Sequence, residues 1–274
     1  MTWLLVAVAV AAAAGLAWGL FEAQWVELSE RQAPVRGLPP ALDGLRILHL
    51  SDFHLGTVSL NARTLRKAVD WATGRDFDLV AVTGDLVSRR RGTRTLEREL
   101  ARLHPRHGTY AVLGNHDVAS TRDPFSRPAD LSGVQAVVLL EHESVVLGVR
   151  GRKVQVAGGD PRRHRELHGS LADRRADLRI LLVHFPDPVQ TLRPGEFDVV
   201  LAGHLHGGQI CIPSPRGKLR LEHLRARYWE GLFELPQGTL HVSRGLGTSF
   251  VPFRFLARPE ATLLVLRTRP ETKP

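Results

Sequence analysis

Short apolar runs that end in polar, metal-ligand-type side chains constrain this sequence more than any other feature. Five of them lie at 45–50, 78–83, 108–113, 180–183 and 198–202, and each has the length of a buried β-strand. Amphipathic helical patterns separate the first three runs. This alternation of strands and helices predicts an α/β domain whose first strands pair in parallel.

The helical patterns occupy 61–72 and 96–103, where apolar residues recur at helical spacing. The second half of the chain is richer in short β-type runs, at 136–140, 144–147, 154–157, 239–242 and 261–266. The first three of these follow one another so closely that we expect them to pair as hairpins. Together the strands predict an α/β fold in which a two-sheet β-sandwich is flanked by helices.

The N-terminal segment from Trp3 to Phe21 contains only apolar and glycine residues. As a helix it would be about 28 Å long, which is close to the hydrocarbon thickness of a bilayer. A cleaved signal peptide is the alternative, but no Lys or Arg precedes the run, and bulky Trp18 lies near its end. We therefore expect an uncleaved single-pass membrane anchor. The flanking charges do not decide which side of the membrane the rest of the chain occupies.

The segment after the anchor is polar and contains Pro34, Pro39 and Pro40, which is typical of a linker. The expected organisation is thus a transmembrane anchor at 1–21, a linker at 22–43 and one catalytic domain at 44–270.

The chain carries a net charge of +9, and most of its basic residues are arginine. Such a surface suits phosphates, anionic lipid headgroups or nucleic acid, and it is equally compatible with a solvated surface that has no dedicated partner. The single cysteine, Cys211, excludes a disulfide framework and a thiolate zinc cluster. We interpret Cys211 as a small buried side chain.

Side chains that suit metal ions follow each of the five strands. They are Asp52 and His54, Gly84-Asp85, Gly114-Asn115-His116-Asp117, His184, and Gly203-His204 with His206. Ligands gather where parallel strands end, so these side chains are expected to meet at one edge. Carboxylate oxygen, amide oxygen and imidazole nitrogen together suit two divalent ions that share a carboxylate. The glycines are expected to permit sharp turns and a close approach of phosphate.

Each of these elements is weak alone, because Asp-x-His triplets and Gly-Asp pairs are common. In this order, however, they resemble the calcineurin-like metallophosphoesterase superfamily, whose pattern is D-x-H, GD, GNH[DE], H and GHxH. The resemblance spans about residues 44 to 268. The segments 204–210, 243–248 and 258–260 resemble a membrane-anchored bacterial branch that includes a UDP-2,3-diacylglucosamine pyrophosphatase of lipid A biosynthesis. The resemblance implies a four-layer αββα fold.

The resemblance also implies a role for each motif residue. By that analogy one metal would be held by Asp52, His54 and His206, the second by Asn115, His184 and His204, and both by Asp85. His116 would not ligate, but would stabilise the transition state or protonate the leaving oxygen. A histidine suits this role because free imidazole titrates near neutrality.

The implied activity is hydrolysis of a phosphodiester or pyrophosphate bond, assisted by two divalent ions, with Mn²⁺ favoured over Fe²⁺ and Zn²⁺. The membrane anchor favours a lipid-linked or membrane-proximal substrate such as UDP-2,3-diacylglucosamine, and nucleic acid is not a favoured partner. A nuclease or cyclic-nucleotide phosphodiesterase is the enzymatic alternative. A metal-free binding scaffold ranks lowest, because such a protein should have a broken ligand set.

Several further positions remain open to two interpretations. Arg244 and Arg254 are candidate ligands of a substrate phosphate, whereas His49 is interpreted as structural. Ser88 and Phe185 depart from residues common in the resembling branch, so they could alter contacts behind the metals or substrate preference. The segment 250–255 is either core packing or an apolar lip that contacts acyl chains or the bilayer.

Overall fold

The fold is built on two six-stranded β-sheets that face each other. The structure is a computed structural model and describes residues 1–119, 127, 131, 133–167, 171–215 and 217–269. Pro270, the expected end of the catalytic domain, lies outside the described residues.

The first sheet contains the N-terminal strands and the last strand of the chain. Its members are β1 (Glu27–Val35), β2 (Arg46–Leu50), β3 (Leu79–Thr83), β4 (Thr109–Val112), β5 (Val138–Leu139) and β14 (Glu260–Thr268). Their order is β1-β14-β2-β3-β4-β5. Strands β2 to β4 pair in parallel, as predicted, and β5 joins β4 in parallel as well, while β14 runs antiparallel to β2.

The second sheet is formed by strands from the later part of the chain. Its members are β6 (Glu143–Val149), β7 (Arg152–Gly158), β8 (Leu178–Leu182), β9 (Val199–Ala202), β12 (Gly231–Leu235) and β13 (Gly238–Val242). Their order is β12-β13-β9-β8-β7-β6, with parallel pairing from β7 through β8 and β9 to β13. A separate hairpin consists of β10 (Cys211–Ser214) and β11 (Gly217–Arg220).

The core lies between the sheets, where side chains such as Ile47, Val156 and Ile180 are buried. Outside the first sheet lie the two amphipathic helices α2 (Asn61–Thr73) and α3 (Thr93–Leu100), which confirm both helical patterns. The outer face of the second sheet is covered instead by short 3₁₀ segments at Pro161–Glu166 and Asp187–Thr191. The two-sheet α/β architecture is thus as predicted, although within the described residues no α-helix forms the fourth layer.

Residues 27–35, which we expected to belong to a linker, form strand β1 instead. This strand pairs in parallel with β14 along its whole length, from Glu27 opposite Glu260 to Val35 opposite Thr268. It is an edge strand, and an edge strand can accommodate Pro34 because proline lacks one N–H donor. Its polar side chains are partly exposed, while Ala33 and Val35 are buried. This one-sided burial makes the sequence resemble a polar connection.

The predicted hairpins are only partly correct. Strands β6 and β7 do form an antiparallel hairpin, but β5 joins β4 in the other sheet. Strands β10, β11 and β12 were not anticipated, because they are short and largely exposed.

The N-terminal apolar segment forms helix α1 (Thr2–Glu22), a helix long and apolar enough to cross a membrane. Most of its residues are exposed, whereas Gly19 and Glu22 in its last turn are buried against the rest of the chain. The C-terminal end of the helix is therefore fixed to the rest of the chain.

Candidate metal centre

The five predicted motifs meet at one edge of the sandwich, where β2, β3, β4, β8 and β9 all end. Backbone hydrogen bonds join neighbouring loops within each sheet: Asp52 N–H donates to Gly84 O at 3.0 Å, and Gly203 N–H donates to His184 O at 3.0 Å. The two sheets are joined here as well, because His204 N–H donates to Asp52 Oδ1 at 3.1 Å. Parallel strands thus bring side chains far apart in sequence to one place.

The first group of ligand-type atoms comes from Asp52, His54, Asp85 and His206, which are all buried and lie within 4.8 Å of one another. His54 Nε2 lies 3.1 Å from His206 Nε2 and 3.5 Å from Asp85 Oδ2. His206 Nε2 lies 3.5 Å from Asp52 Oδ1. Four donor atoms therefore converge on a space of the size of one ion.

The second group contains Asp85, His184 and His204, again within 4.8 Å of one another. His184 Nε2 lies 3.3 Å from Asp85 Oδ2 and 2.8 Å from Asn115 Oδ1. His204 Nδ1 lies 3.2 Å from His184 Nε2. Because Asp85 belongs to both groups, the two candidate ion positions adjoin and share one carboxylate.

The backbone is held in an uncommon conformation at most of these residues. Positive φ angles occur at five of the ligand-type side chains: Asp52 (53°), His54 (46°), Asp85 (52°), His204 (75°) and His206 (49°). For a residue other than glycine, this conformation costs about 1–3 kcal/mol and is found preferentially at functional sites. These residues therefore lie in loops that leave the strand conformation just as the chain reaches the site.

The motif glycines create space for the ligand side chains. A Cβ atom at Gly114 would collide with the Asp85 carboxylate, and one at Gly203 would collide with Ser51 Oγ and Asp52 Oδ2. A Cβ atom at Gly84 would lie 2.5 Å from His184 Nδ1. We expected these glycines to permit sharp turns and phosphate approach, but only Gly84 has a positive φ. Their main structural role is close packing behind the site.

The charges of the site fit a divalent cation. Burial and the neighbouring charge of Asp85 raise the pKa of Asp52 to about 6. Burial also disfavours ionised Asp85, but the charges of His184 and His54 outweigh it and hold its pKa well below the usual range. In return the pKa of His184 rises to about 9 against the effect of its own burial, mainly because of Asp85. The carboxylates thus require positive charge, which a cation supplies while leaving imidazole neutral.

The remaining nitrogens of the imidazoles have partners that orient the rings. His184 Nδ1 lies 2.8 Å from Thr83 O, an acceptor that leaves the Nε2 lone pair directed into the site. His54 Nδ1 lies 3.1 Å from Ser88 Oγ. Ser88, a departure from the resembling branch, therefore supports a predicted ligand from behind.

His116 occupies the wall of a cleft of about 400 Å³ that exposes the donor groups. Its Nε2 lies 3.9 Å from Asp85 Oδ2, and its backbone N–H donates to Asp85 Oδ1 at 2.9 Å. The ring packs edge-on against His54, with centroids 4.7 Å apart, and against Phe250, at 6.0 Å. It is thus beside both donor groups and in contact with the cleft.

Asp117 is a site residue whose role we did not predict, although it closes the third motif. Its buried carboxylate accepts hydrogen bonds from the backbone N–H groups of Leu86, Val87 and Gly114, at 3.1, 3.0 and 2.8 Å. Burial and the charge of Asp85 nevertheless raise its pKa to about 7. Asp117 therefore ties the loop after β3 to the loop after β4.

Two further residues at the cleft, Glu222 and His223, were also missed. The His223 ring lies 5.1 Å from that of His204. They follow β11, a strand that was not predicted, so the strand-end pattern did not include them. Phe185, the second departure noted in the sequence, packs against the His204 ring at 4.4 Å and against the His184 ring at 5.1 Å.

The structure contradicts both candidate substrate arginines. Arg254 is fully buried, and its guanidinium donates to backbone carbonyls, among them His206 O at 3.1 Å and Ala257 O at 2.8 Å. Arg244 is largely buried and paired with Glu260 at 2.7 Å and Glu27 at 2.9 Å. Neither guanidinium is available to bind a substrate phosphate, because each already pairs with groups of the chain itself. Sequence alone cannot separate such structural arginines from phosphate-binding ones.

The sequence profile of the calcineurin-like phosphoesterase family matches residues 45–208, which include all five motifs. The chain belongs to the calcineurin-like phosphoesterase family. The resemblance inferred from the motifs is therefore confirmed, as is the mixed α/β two-sheet fold. As a member of this family the chain is a phosphoester hydrolase, and its two donor groups indicate a divalent metal site.

The chain is similar to metallophosphoesterases from bacteria and from a vertebrate. The uncharacterized metallophosphoesterase YkoQ of Bacillus subtilis is 31% identical over 229 residues, covering 81% of this chain and 84% of YkoQ. A transmembrane protein with metallophosphoesterase domain from Danio rerio is 30% identical over 266 residues, covering 89% of this chain and 58% of that protein. The UDP-2,3-diacylglucosamine pyrophosphatase LpxG of Chlamydia trachomatis is 28% identical over 279 residues, covering 81% and 84%.

Proposed function

We propose that this phosphoesterase hydrolyses a phosphodiester or pyrophosphate bond in a lipid-linked or membrane-proximal substrate, for example UDP-2,3-diacylglucosamine. The observation that carries the proposal is the pair of buried donor groups that share Asp85 beside an open cleft. The similarity to LpxG, whose name states this activity, supports the substrate class. The apolar helix α1 supports a membrane-anchored enzyme, and transmembrane relatives agree with that interpretation.

We propose that the two donor groups hold two divalent ions, with Mn²⁺ favoured. Their distances support assigning Asp52, His54 and His206 to one ion, and Asn115, His184 and His204 to the other. Asp85 would contact both. Mixed oxygen and nitrogen donors suit Mn²⁺, and they suit Fe²⁺ and Zn²⁺ as well.

Bound cations at such a site polarise the phosphoryl oxygens and lower the pKa of water. The chain itself contributes three things. Its carboxylates and imidazoles are buried, in a surrounding where charge interactions are strong. The strained loops fix the donor atoms before substrate arrives. His116, at the cleft wall, would hold a proton for the leaving oxygen.

Replacing His116 with alanine tests its catalytic role. We expect kcat to fall by about 10²- to 10⁴-fold, the usual contribution of general acid–base catalysis. Metal content should be retained, because the ligand groups remain intact. His107→Ala is a matched control, since His107 lies at the opposite end of β4 and should leave kcat unchanged. Turnover of His116→Ala within a factor of three of the parent would remove this assignment.

The substrate class is tested with purified full-length protein in detergent, supplied with Mn²⁺. Release of UMP from UDP-2,3-diacylglucosamine would support the lipid-linked substrate. Turnover confined to simple aryl phosphodiesters would contradict it, and turnover confined to oligonucleotides would favour a nuclease. No turnover of any phosphoester would contradict the proposed activity itself.

We also propose that residues 1–21 form the membrane anchor and that the catalytic domain follows it. The domain was expected to begin at residue 44, but the pairing of β1 with β14 supports a start near Glu27.

A further inference from the structure

Exposed apolar side chains are concentrated in one part of the domain. After Trp25, every exposed large apolar side chain of the described residues, except Val138 and Val146, lies in one of three segments: 58–60, 212–224 and 250–256. We call the exposed apolar side chains of these three segments the apolar rim. Val58, Leu224 and Phe250 are its most exposed members, at 96%, 69% and 55%.

The three segments adjoin one another. Val58 and Phe250 line the same cavity of about 210 Å³. Ile212 and Leu219 are cross-strand partners in the β10–β11 hairpin, at 44% and 52% exposure. The hairpin in turn meets the third segment, because Cys211 N–H donates to Phe255 O at 2.9 Å. A connected surface of this kind usually marks an interaction site.

The last turn of α1 is fixed on this same surface. Gly19 packs so closely that a Cβ atom there would lie 2.7 Å from the Phe255 ring, and Gly19 O accepts a hydrogen bond from Arg254 N–H at 3.0 Å. The buried Glu22 carboxylate accepts from Ala257 N–H at 2.8 Å and from Trp18 Nε1 at 3.1 Å. The helix and the rim therefore form one continuous unit.

The length of α1 sets the level of the rim relative to a bilayer. A helix of 21 residues is about 31 Å long, so all of it is needed to cross a hydrocarbon core of about 30 Å. The last turn must then lie at the boundary between hydrocarbon and headgroups. Side chains packed around that turn lie at the same boundary, where apolar and aromatic groups insert favourably.

We propose that the apolar rim is a membrane-contact surface, seated on the bilayer that α1 spans. This inference rests on the membrane anchor of the proposed function. Exposed Arg225 and Arg227, next to Leu224, suit anionic headgroups. Because Phe250 belongs both to the rim and to the cleft of the metal centre, the cleft opens at the headgroup level. The enzyme thus meets phosphoesters at the membrane surface without extracting them into solution.

The proposal is tested by fluorescence quenching of the labelled protein in vesicles of phosphatidylcholine and phosphatidylglycerol with brominated acyl chains. The vesicles contain no other protein. Single cysteines replace Val58, Leu219 and Leu224 in the full chain and carry an environment-sensitive fluorophore. Val146→Cys is the matched control, since Val146 is 48% exposed on β6, outside the rim. The parent protein measures background labelling of Cys211, which is buried.

Rim positions should be quenched at least threefold more strongly than position 146. Equal quenching at all positions would overturn the proposal, and so would rim quenching that requires an added protein. All substitutions are at exposed sites, so folding is not at risk. The readout needs no turnover, and it therefore stands apart from any failure of the phosphoesterase proposal.

A pair of glycines in α1 tests whether docking holds the rim in place. Gly19→Leu should disrupt the contact with Phe255 and reduce quenching at position 219 by at least half. Gly15→Leu should leave it unchanged, because a Cβ atom at Gly15 meets nothing within 4 Å. Equal quenching in both variants would show that α1 does not set the position of the rim.

A turnover measurement links the rim to the reaction. Leu219→Glu should lower turnover of a lipid-linked phosphoester in vesicles at least fivefold, and leave hydrolysis of a water-soluble aryl phosphodiester unchanged. An equal loss of turnover on both substrates, or no loss on either, would contradict a role of the rim at the membrane.

Discussion

Replacing Arg254 with methionine distinguishes the structural role of this arginine from the substrate contact suggested by the sequence. The guanidinium is fully buried and donates to five backbone carbonyls, those of His206, Arg244, Gly245, Gly247 and Ala257. Methionine fills a similar volume but donates no hydrogen bond. The substitution should therefore destabilise the fold rather than weaken substrate binding.

The magnitude follows from the acceptors left behind. Two of the five keep a donor, because Gln209 N–H also donates to His206 O and Glu260 N–H to Gly245 O. A buried carbonyl without a partner costs about 1–3 kcal/mol, so the other three cost about 3–9 kcal/mol. Part of this is offset because burying the charge is itself unfavourable, as the fall of the Arg254 pKa to about 9 indicates. We expect a net loss of about 3 kcal/mol in the free energy of unfolding. For a domain of this size that corresponds to a Tm lowered by roughly 6–12 °C.

The assay is thermal unfolding of the full chain in detergent, with KM measured on the same preparation. Arg258→Met is the control, because Arg258 donates to Trp25 O at 3.1 Å and lies over the Trp25 ring at 4.0 Å without being enclosed. It should cost about 1 kcal/mol or less. A Tm within about 2 °C of the parent, together with a tenfold rise in KM, would refute the reasoning and restore Arg254 as a substrate ligand.

Three further substitutions probe the site and the core. Ser88→Ala should weaken metal binding about 10- to 100-fold, because His54 Nδ1 loses the Ser88 hydroxyl at 3.1 Å; metal titration with less than a twofold change would contradict this. Gly203→Ala should reduce metal affinity at least tenfold by steric overlap with the neighbouring carboxylate, whereas Gly148→Ala, in open space, should not. Burial lowers the pKa of His241 to about 3, below its ordinary value near 6.5, so folding stability should fall as pH drops below about 6.5. The loss in the free energy of unfolding amounts to ~2 kcal/mol at pH 5. Denaturant unfolding at pH 7.5 and 5 should show a smaller loss for His241→Leu, by this amount. The same pH dependence in the variant and the parent would contradict the prediction.

Local pattern was sufficient for the central elements of the fold. Strands β2, β3 and β4 and helix α2 lie where apolar periodicity placed them, because each buries a face whose spacing is visible in the sequence. Helix α3 was also predicted, but it begins and ends three residues earlier than the pattern at 96–103. The strand β1 at the edge of the first sheet was not predicted, because its sequence shows no such spacing. Strand β1 is polar and contains Pro34, and its strand character comes from pairing with β14, more than two hundred residues away.

The same division holds for the site. Every predicted ligand-type residue is brought to one edge, because each follows a strand and parallel strands end together. Supporting residues could not be found in this way. Ser88 was noted only as a departure from the resembling branch and Asp117 only as the last residue of its motif, and their contacts reveal what they do. Glu222 lies at the cleft but follows no predicted strand.

For His49 the sequence indicated a structural role but not the residue that it contacts. We interpreted it as structural, and it is fully buried, with its Nδ1 2.7 Å from His241 Nδ1 and its Nε2 2.9 Å from Thr83 Oγ1. Burial and the neighbouring His241 hold its pKa well below the ordinary range. The histidine pair joins the two sheets behind the metal centre. Nothing in the sequence indicated that these two residues are in contact.

The sequence by itself determined the family, the parallel pairing of the central strands and the candidate ligand residues of the site, because these depend on local chemistry and on residues placed at strand ends. Only the tertiary structure decided which arginines are buried, how α1 is fixed to the domain and where the exposed apolar side chains gather. Those properties arise from contacts between distant segments, such as Gly19 with Phe255. A residue's type states what it can bind, but its burial and its neighbours decide what remains available.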